Sequence, residues 1–428
     1  MMSRILIPLL WLLCTPALAN LEITITGGQV EPVSVGVVPF QVEALENLDT
    51  DVARIVEADL KSSGLFAPFP REDMLAQPSQ AENVRYENWR ALGVEHLVIG
   101  SIRRGSMGNW LVEFRMLDVF RGTESLAYEI PVSASGLRYA SHQISDLIYQ
   151  KLTGHRGVFN TRIAYVTAEG TVESRTYKLM IADADGHDPR QLVSSREPIM
   201  SPAWSPDGRQ MAFVAFDQGQ SAIYLQTVST GVVRKLTNFR GINGAPSFSP
   251  DGRKLVVTLS HEGNPEIYEL EVASGNTRRL TNDPAIDTEP SYSPDGQYIV
   301  FTSDRAGRPQ IYRIPAGGGE PKRLTFEGRS NARATYSPDG RFLSLVHQSD
   351  DGGFRVAALE LKSGDLRVLS NGPLDESPSF APNGVVIIYS TKGPRGAELA
   401  TVAIDTGIQQ GLSQPGDVRE PAWSPFNK

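Results

Sequence analysis

Cysteine is almost missing from this chain: its 428 residues include one, Cys14. Everything beyond it has no disulfide, no thiol nucleophile and no thiolate metal site, so the fold must rest on its apolar core. A basic excess is missing as well. Lys and Arg number 41 against 49 Asp and Glu, a net charge of −8. That balance excludes general nucleic-acid binding, because neutralising phosphates needs a basic surface. No apolar run approaches the roughly twenty residues that a spanning helix requires. The six histidines are scattered, with no His-x-x-x-His pair to seat zinc. Gly-x-Ser-x-Gly, a Walker loop and Gly-x-Gly-x-x-Gly are all absent. Neither a cofactor nor a metal is expected. What is plentiful is punctuation: 39 Gly and 29 Pro, spread along the chain. Many short strands joined by tight turns have that composition.

Residues 1–19 read as an export signal. Arg4 supplies a positive start, Ile5 to Cys14 an apolar stretch, and Ala17-Leu-Ala19 a small-x-small cleavage site before Asn20. The apolar stretch is too short to remain in a bilayer. Its removal leaves 40 basic against 49 acidic residues, a net charge of −9, and no cysteine. Lipid attachment at Cys14 is disfavoured by Leu13, where a small residue is needed. An exported protein follows.

A 44-residue repeat fills the last two thirds. Pro202-Ala-Trp-Ser-Pro-Asp-Gly208 returns as Pro246-Ser-Phe-Ser-Pro-Asp-Gly252 and Pro290-Ser-Tyr-Ser-Pro-Asp-Gly296. It continues as Ala334-Thr-Tyr-Ser-Pro-Asp-Gly340, Pro378-Ser-Phe-Ala-Pro-Asn-Gly384 and Pro421-Ala-Trp-Ser-Pro425. Each interval adds an apolar run such as Leu255 to Leu259, an alternating run such as Glu266-Ile-Tyr-Glu269, a Gly turn, and Arg278-Arg-Leu-Thr281 or its equivalent. Four short strands at this period are the mark of one propeller blade. The count closes at six. The chain enters with the last three strand types, from Ile163 to Val193, and leaves with the first type alone, Pro421 to Pro425. The closing strand is therefore expected to complete the sheet begun near residue 163, leaving no open edge.

Five Ser-Pro-Asp-Gly equivalents cannot all be a catalytic serine. Pro pre-sets φ, Asp accepts from backbone two residues on, and Gly supplies positive φ, so the motif reads as a hairpin turn. The aromatic two residues before each Pro (Trp204, Phe248, Tyr292, Tyr336, Phe380, Trp423) reads as core between blades. Asp183-Ala-Asp185-Gly186-His-Asp188 has the look of a calcium loop, but it lacks a closing Glu and falls where other blades turn.

Before the repeat the pattern changes. Val33 to Phe40 reads as a buried strand, and Val52, Ile55, Val56 and Leu60 recur at helical spacing after Asp51, with Gly64 as the stop. A short helix near Glu87 to Leu92 precedes strands Val94 to Ser101, Trp110 to Val119 and Ser125 to Val132. A helix over Leu137 to Leu152 closes the unit. The expected plan is a signal at 1–19, an α/β domain at 20–153, a linker at 154–161 and an all-β six-bladed propeller at 162–428.

Such a ring offers a central channel rimmed by six loops. The loops entering the repeated strand bring Asn243, Asp287, Glu289, Asn331, Arg333, Asp375, Glu376, Arg419 and Glu420 to one rim. Mixed charge around a hole suits a polypeptide partner. Two other readings stand beside a binding scaffold: a secreted propeller enzyme acting on glycans, sialidase-like or a lyase, and a bare adhesion or signalling propeller.

The order of signal, α/β domain and six blades resembles the TolB family. The resemblance is carried by Ser303-Asp-Arg-Ala-Gly-Arg-Pro-Gln-Ile-Tyr312, Asn243-Gly-Ala-Pro-Ser-Phe-Ser-Pro-Asp-Gly252, Leu152-Thr-Gly154, Thr161-Arg-Ile-Ala-Tyr165, Val35 to Phe40 and Asp375-Glu-Ser-Pro378. It implies a monomeric, non-enzymatic periplasmic component of the Tol-Pal envelope system of Gram-negative bacteria, which supports outer-membrane integrity and its invagination during division. It further implies binding of the lipoprotein Pal, itself associated with outer membrane and peptidoglycan, at the propeller mouth. By motif, Ile242, Asn243, Gly244, Ala245, Thr288 and Glu289 would face Pal, joined by the other rim residues. Ile242 stands where some family members carry histidine, which changes the chemistry of that contact. TolA would be engaged by the leading segment Asn20, Leu21, Glu22, Ile23, Thr24, Ile25 and Thr26, whose β-branched alternation suits an added strand.

Overall fold

A computed structural model describes residues 31–43, 48–105, 109–171, 174–394, 396–412 and 414–427. The expected signal and the segment Asn20 to Thr26 expected to engage TolA lie outside the described residues.

The leading unit is a layered α/β domain. Its sheet runs β3 (Phe66–Pro68), β1 (Val33–Val37), β4 (His96–Arg104), β5 (Trp110–Asp118) and β6 (Thr123–Val132), and β2 (Gln41–Val42) pairs β4. β1 is parallel to β3 and β4, whereas β4, β5 and β6 are antiparallel neighbours. Helices α1 (Val52–Ser62) and α3 (Leu137–Thr153) cover one face. There Val56, Leu60, Ile144 and Ile148 pack on Val35, Val98 and Phe114. The short α2 (Tyr86–Ala91) covers the other face through Trp89, against Leu97 and Ile99. Asp51 caps α1 by accepting from the Arg54 amide at 3.0 Å, the end that Asp and helical spacing announce. At its far end α3 stops at Gly154, whose φ of +80° completes a left-handed cap. The expected Val33 to Phe40 strand is shorter, because the chain leaves β1 and rejoins the sheet at β2. β3 has no signal in the sequence; three residues are too few to show a period.

The propeller has six four-stranded antiparallel sheets. Blades 1 to 5 begin with the inner strands Ile199–Trp204, Asn243–Phe248, Asp287–Tyr292, Ser330–Tyr336 and Asp375–Phe380. Blade 6 is composite: Asp417–Trp423 is its inner strand, beside Arg162–Glu169, Thr176–Asp183 and Arg190–Ser195. Val418 pairs with Thr167 and Trp423 with Ile163, and Ser424 Oγ accepts from the Arg162 amide at 3.0 Å. The ring is closed, as its phase predicts. Apolar cores lie between blades: Val214 and Ile223 of blade 1 pack with Leu255 and Val257 of blade 2.

The repeated motif is a turn. Ser205 Oγ donates to Asp207 Oδ1 at 2.6 Å and accepts from the Gln210 amide at 2.9 Å, while Asp207 accepts from Arg209. Blades 2, 3 and 4 reproduce these bonds around Ser249, Ser293 and Ser337. Gly208 has φ +68° and lies against Pro425 of blade 6; Gly252 has φ +71° and lies against Pro206 of blade 1. The turns thus touch around the ring. Trp204 extends the closure by donating from Nε1 to the Ala422 carbonyl at 3.1 Å.

Candidate functional site

Each inner strand carries an irregularity that the sequence reading missed. In all six blades the register against the second strand slips by a bulge. The bulged residues are Ser201, Ala245, Glu289, Arg333, Ser377 and Glu420, all with φ between +46° and +57°. A residue with a Cβ seldom adopts this left-handed conformation. Here it recurs at one position per blade, which marks a built feature. A signal existed: in five blades the bulged residue precedes Pro, at Pro202, Pro246, Pro290, Pro378 and Pro421. Pro disfavours the right-handed helical region before it and supplies no amide, so the ladder breaks there.

The bulge aims its residue at the axis. Ser201, Ala245, Glu289, Arg333 and Ser377 line a central cavity of about 320 Å³ that runs down to Ser205 and Pro206. Within it Arg333 of blade 4 meets Glu420 of blade 6 in a bidentate pair, with Nη1 to Oε1 at 3.1 Å. Their side chains are 29% and 19% exposed, and Arg333 lines the lumen. Burial alone would lower the Arg333 pKa, but the charges of Glu420, Glu289 and Glu376 raise it. Burial would likewise raise Glu420, and Arg333 holds it down instead. Both groups stay charged, and the pair ties blade 4 to blade 6 past the intervening blade 5. Glu420 Oε2 also accepts from the Ser201 amide at 3.2 Å, and Glu289 Oε2 from Thr302 Oγ1 at 2.9 Å.

The other rim residues divide into two groups. Asn243, Asn331, Asp375 and their equivalent Asp287 are 0% exposed. Asn243 Nδ2 donates to Phe239 O and Gly241 O, and Asn331 Nδ2 to Gln310 Oε1 and Glu327 O. Asp375 accepts from the Gly372 amide and Thr391 Oγ1, and Asp287 takes Arg305 at 2.8 Å. These side chains clasp their own loops, so the expectation that they present themselves to a partner is corrected: polarity there serves the backbone. Glu376 and Arg419 are exposed, and Gly244, Ala245 and Thr288 are half-buried at the mouth. Arg419 is held by Asp417 at 3.0 Å.

What polarity hid is an apolar rim. Ile242, Ile286 and Leu374 occupy one equivalent position in blades 2, 3 and 5 and are 46%, 48% and 38% exposed. Met200 adds a fourth apolar side chain. Between blades 1 and 2, Met200, Ile242, Val214 and Phe216 line a groove of about 610 Å³. The loops that carry the rim are tied down: the Ile242 amide donates to Ser260 Oγ at 2.7 Å and the Ile286 amide to Asp304 Oδ1 at 2.8 Å. Exposed apolar side chains on a fixed polar frame are the makings of an interface.

One group of potential metal ligands occurs among the described residues, Asp59, His142 and Asp185, with ligand atoms within 4.8 Å of one another. It lies between the domains, and Arg138 already sits on Asp185. A guanidinium there opposes a further cation. Asp185 also accepts from the His187 amide at 3.1 Å, so the calcium-like segment is a turn.

Comparison with known proteins agrees with this architecture. Residues 21–125 match the TolB amino-terminal domain and residues 149–427 the TolB beta propeller domain. The Tol-Pal system protein TolB of Nitrosococcus oceani is 57% identical over 420 residues, 97% of this chain and 96% of that protein. The chain belongs to the TolB family. The TolB of Thioalkalivibrio sulfidiphilus is 56% identical over 428 residues, 99% of this chain and 98% of its own. The crystal structure of TolB from Acinetobacter baumannii superposes with a TM-score of 0.85 at 42% identity, covering 92% of this chain and 97% of that one. Membership makes the chain a non-catalytic component of the Tol-Pal system and removes the glycan-acting enzyme as an alternative.

Proposed function

We propose that this TolB-family chain is a periplasmic scaffold that binds the lipoprotein Pal at the propeller mouth and TolA through residues 20–26. In that role it links outer membrane and peptidoglycan to the inner-membrane machinery, and so supports outer-membrane integrity and its invagination during division. The observation that carries the reading is the apolar rim of Ile242, Ile286 and Leu374 on loops fixed by their own hydrogen bonds. Glu376, Arg419 and Thr288 add polar contacts at its edge, with Gly244 and Ala245 letting the partner approach the backbone. Glu289, Arg333 and Glu420 form the charged floor. Asn243, Asn331 and Asp375 act from behind by setting the loops.

Calorimetric titration of the exported chain with the soluble domain of Pal tests this. The Ile286→Asp and Leu374→Asp double variant should weaken binding at least about tenfold, because charges replace exposed apolar contacts, with an unchanged melting temperature. Unaltered affinity would refute the assignment of the face. Deleting residues 20–26 should abolish TolA binding.

A further inference from the structure

The two domains meet through charge. Arg138, in the first turn of α3, reaches the outer turn of blade 6, where it bonds Asp183 at 3.0 Å and also Asp185. One helical turn on, His142 is 3% exposed and places Nδ1 2.8 Å from Oδ2 of Asp59 on α1, itself 2% exposed. Ser145 donates to that same oxygen at 2.7 Å. Asp185 brings a carboxylate oxygen within 4.8 Å of both Asp59 and His142. The second ring nitrogen, Nε2, is buried with no hydrogen-bond partner. The charged groups that surround the imidazole are therefore Asp59 from α1, Arg138 and Asp146 from α3, and Asp183 and Asp185 from the propeller.

With a neutral imidazole, Asp59, Asp183 and Asp185 face a single guanidinium. Protonation adds a second cation between the buried α1 carboxylate and the blade 6 carboxylate, which stands at the solvent edge of the site. We propose that His142 is a protonation-dependent latch between the domains, whose positive charge ties Asp59 and Asp185 together and whose loss loosens the docking of blade 6 on α1 and α3.

The electrostatics point the same way. Burial would lower the His142 pKa, but the hydrogen bond and charge of Asp59 outweigh it, so the imidazolium persists above the ordinary histidine range. Asp59 is pushed up by burial, which His142 and Ser145 only partly offset, and the pair keeps a proton between them. A folded-state pKa raised above the unfolded one means that the latch is fully present below about pH 6.5 and is lost as pH rises through the raised value. Asp146 is a separate titrating group. Burial raises it to about 6, against the amide of Phe159 that bonds it at 2.9 Å.

No cysteine follows Cys14, so a Glu82→Cys and Lys362→Cys variant of the chain after residue 19 carries one label on each domain at exposed positions. Single-molecule energy transfer should give one narrow distance population below pH 6.5. An open population should grow above it, by up to about tenfold per pH unit for one linked proton. His142→Gln should abolish that dependence, and Asp146→Asn should preserve it. Arg138→Gln, which leaves the buried pair intact, should raise the open population at every pH. Distances independent of pH in the parent, the same pH response in His142→Gln, or parental docking in Arg138→Gln would each overturn the proposal.

Discussion

At the hairpin end of the ring, Ser205, Ser249, Ser293 and Ser337 make the same bonds to the same partners. At the mouth, one equivalent position carries Pro198, Ile242, Ile286, Ser330, Leu374 and Asp417 in turn. The hairpin end is nearly uniform, with Ala381 as the one departure from Ser in blades 1 to 5, because each of those turns rests its Gly on the Pro of the preceding blade. The mouth is free to differ, because its loops are tied within their own blades by groups such as Asn243 and Asp375. Repetition holds the ring, and divergence at one edge gives each loop its own surface.

That contrast can be broken in graded steps. The largest effect is expected from deleting residues 417–428, which removes the inner strand of blade 6 and exposes Ile163 and Tyr165 on an unpaired edge. Cooperative thermal unfolding should disappear in calorimetry, and proteolysis should cut the propeller. Next comes the tie between blades 4 and 6. Arg333→Met leaves Glu420 charged and unpaired, and should cost on the order of 3 kcal/mol in urea unfolding. Adding Glu420→Leu should recover most of the loss; additive losses would show that the pair does not couple blades 4 and 6. The smallest effect belongs to one turn. Ser249→Ala removes the acceptor for the Lys254 amide and should cost about 1 kcal/mol in urea unfolding. The turn carboxylates add a pH signature. Hydrogen bonds from Ser205 and the Arg209 amide hold Asp207 below the usual carboxylate range, so its contribution is present above about pH 4 and is lost as acid protonates it.

The sequence made the uniform end legible and the variable end much less so. A period of 44 residues with Ser, Pro, Asp and Gly in register specifies a turn by local chemistry alone, and Asp51 and Gly64 frame α1 for the same reason. At the mouth, polarity was a poor guide to exposure. Asn243, Asn331 and Asp375 read as rim residues but are buried, because a loop that enters a strand beside a channel has amides and carbonyls to satisfy. Ile286 and Met200 carry no polar signal that would single them out, yet they stand in the open. The bulges that turn Glu289, Arg333 and Glu420 inward left a trace as X-Pro pairs, which shows only when the blades are aligned.

The closing strand has a temporal consequence. Ser424 caps the amide of a residue 262 positions earlier, so blade 6 cannot be finished until nearly the entire propeller has been laid down. Until then Arg162–Glu169 waits with a vacant flank, and contacts this remote in sequence are slow to form. A chain of this design has to be kept from sticking to its neighbours for longer than one whose first and last sheets mature separately.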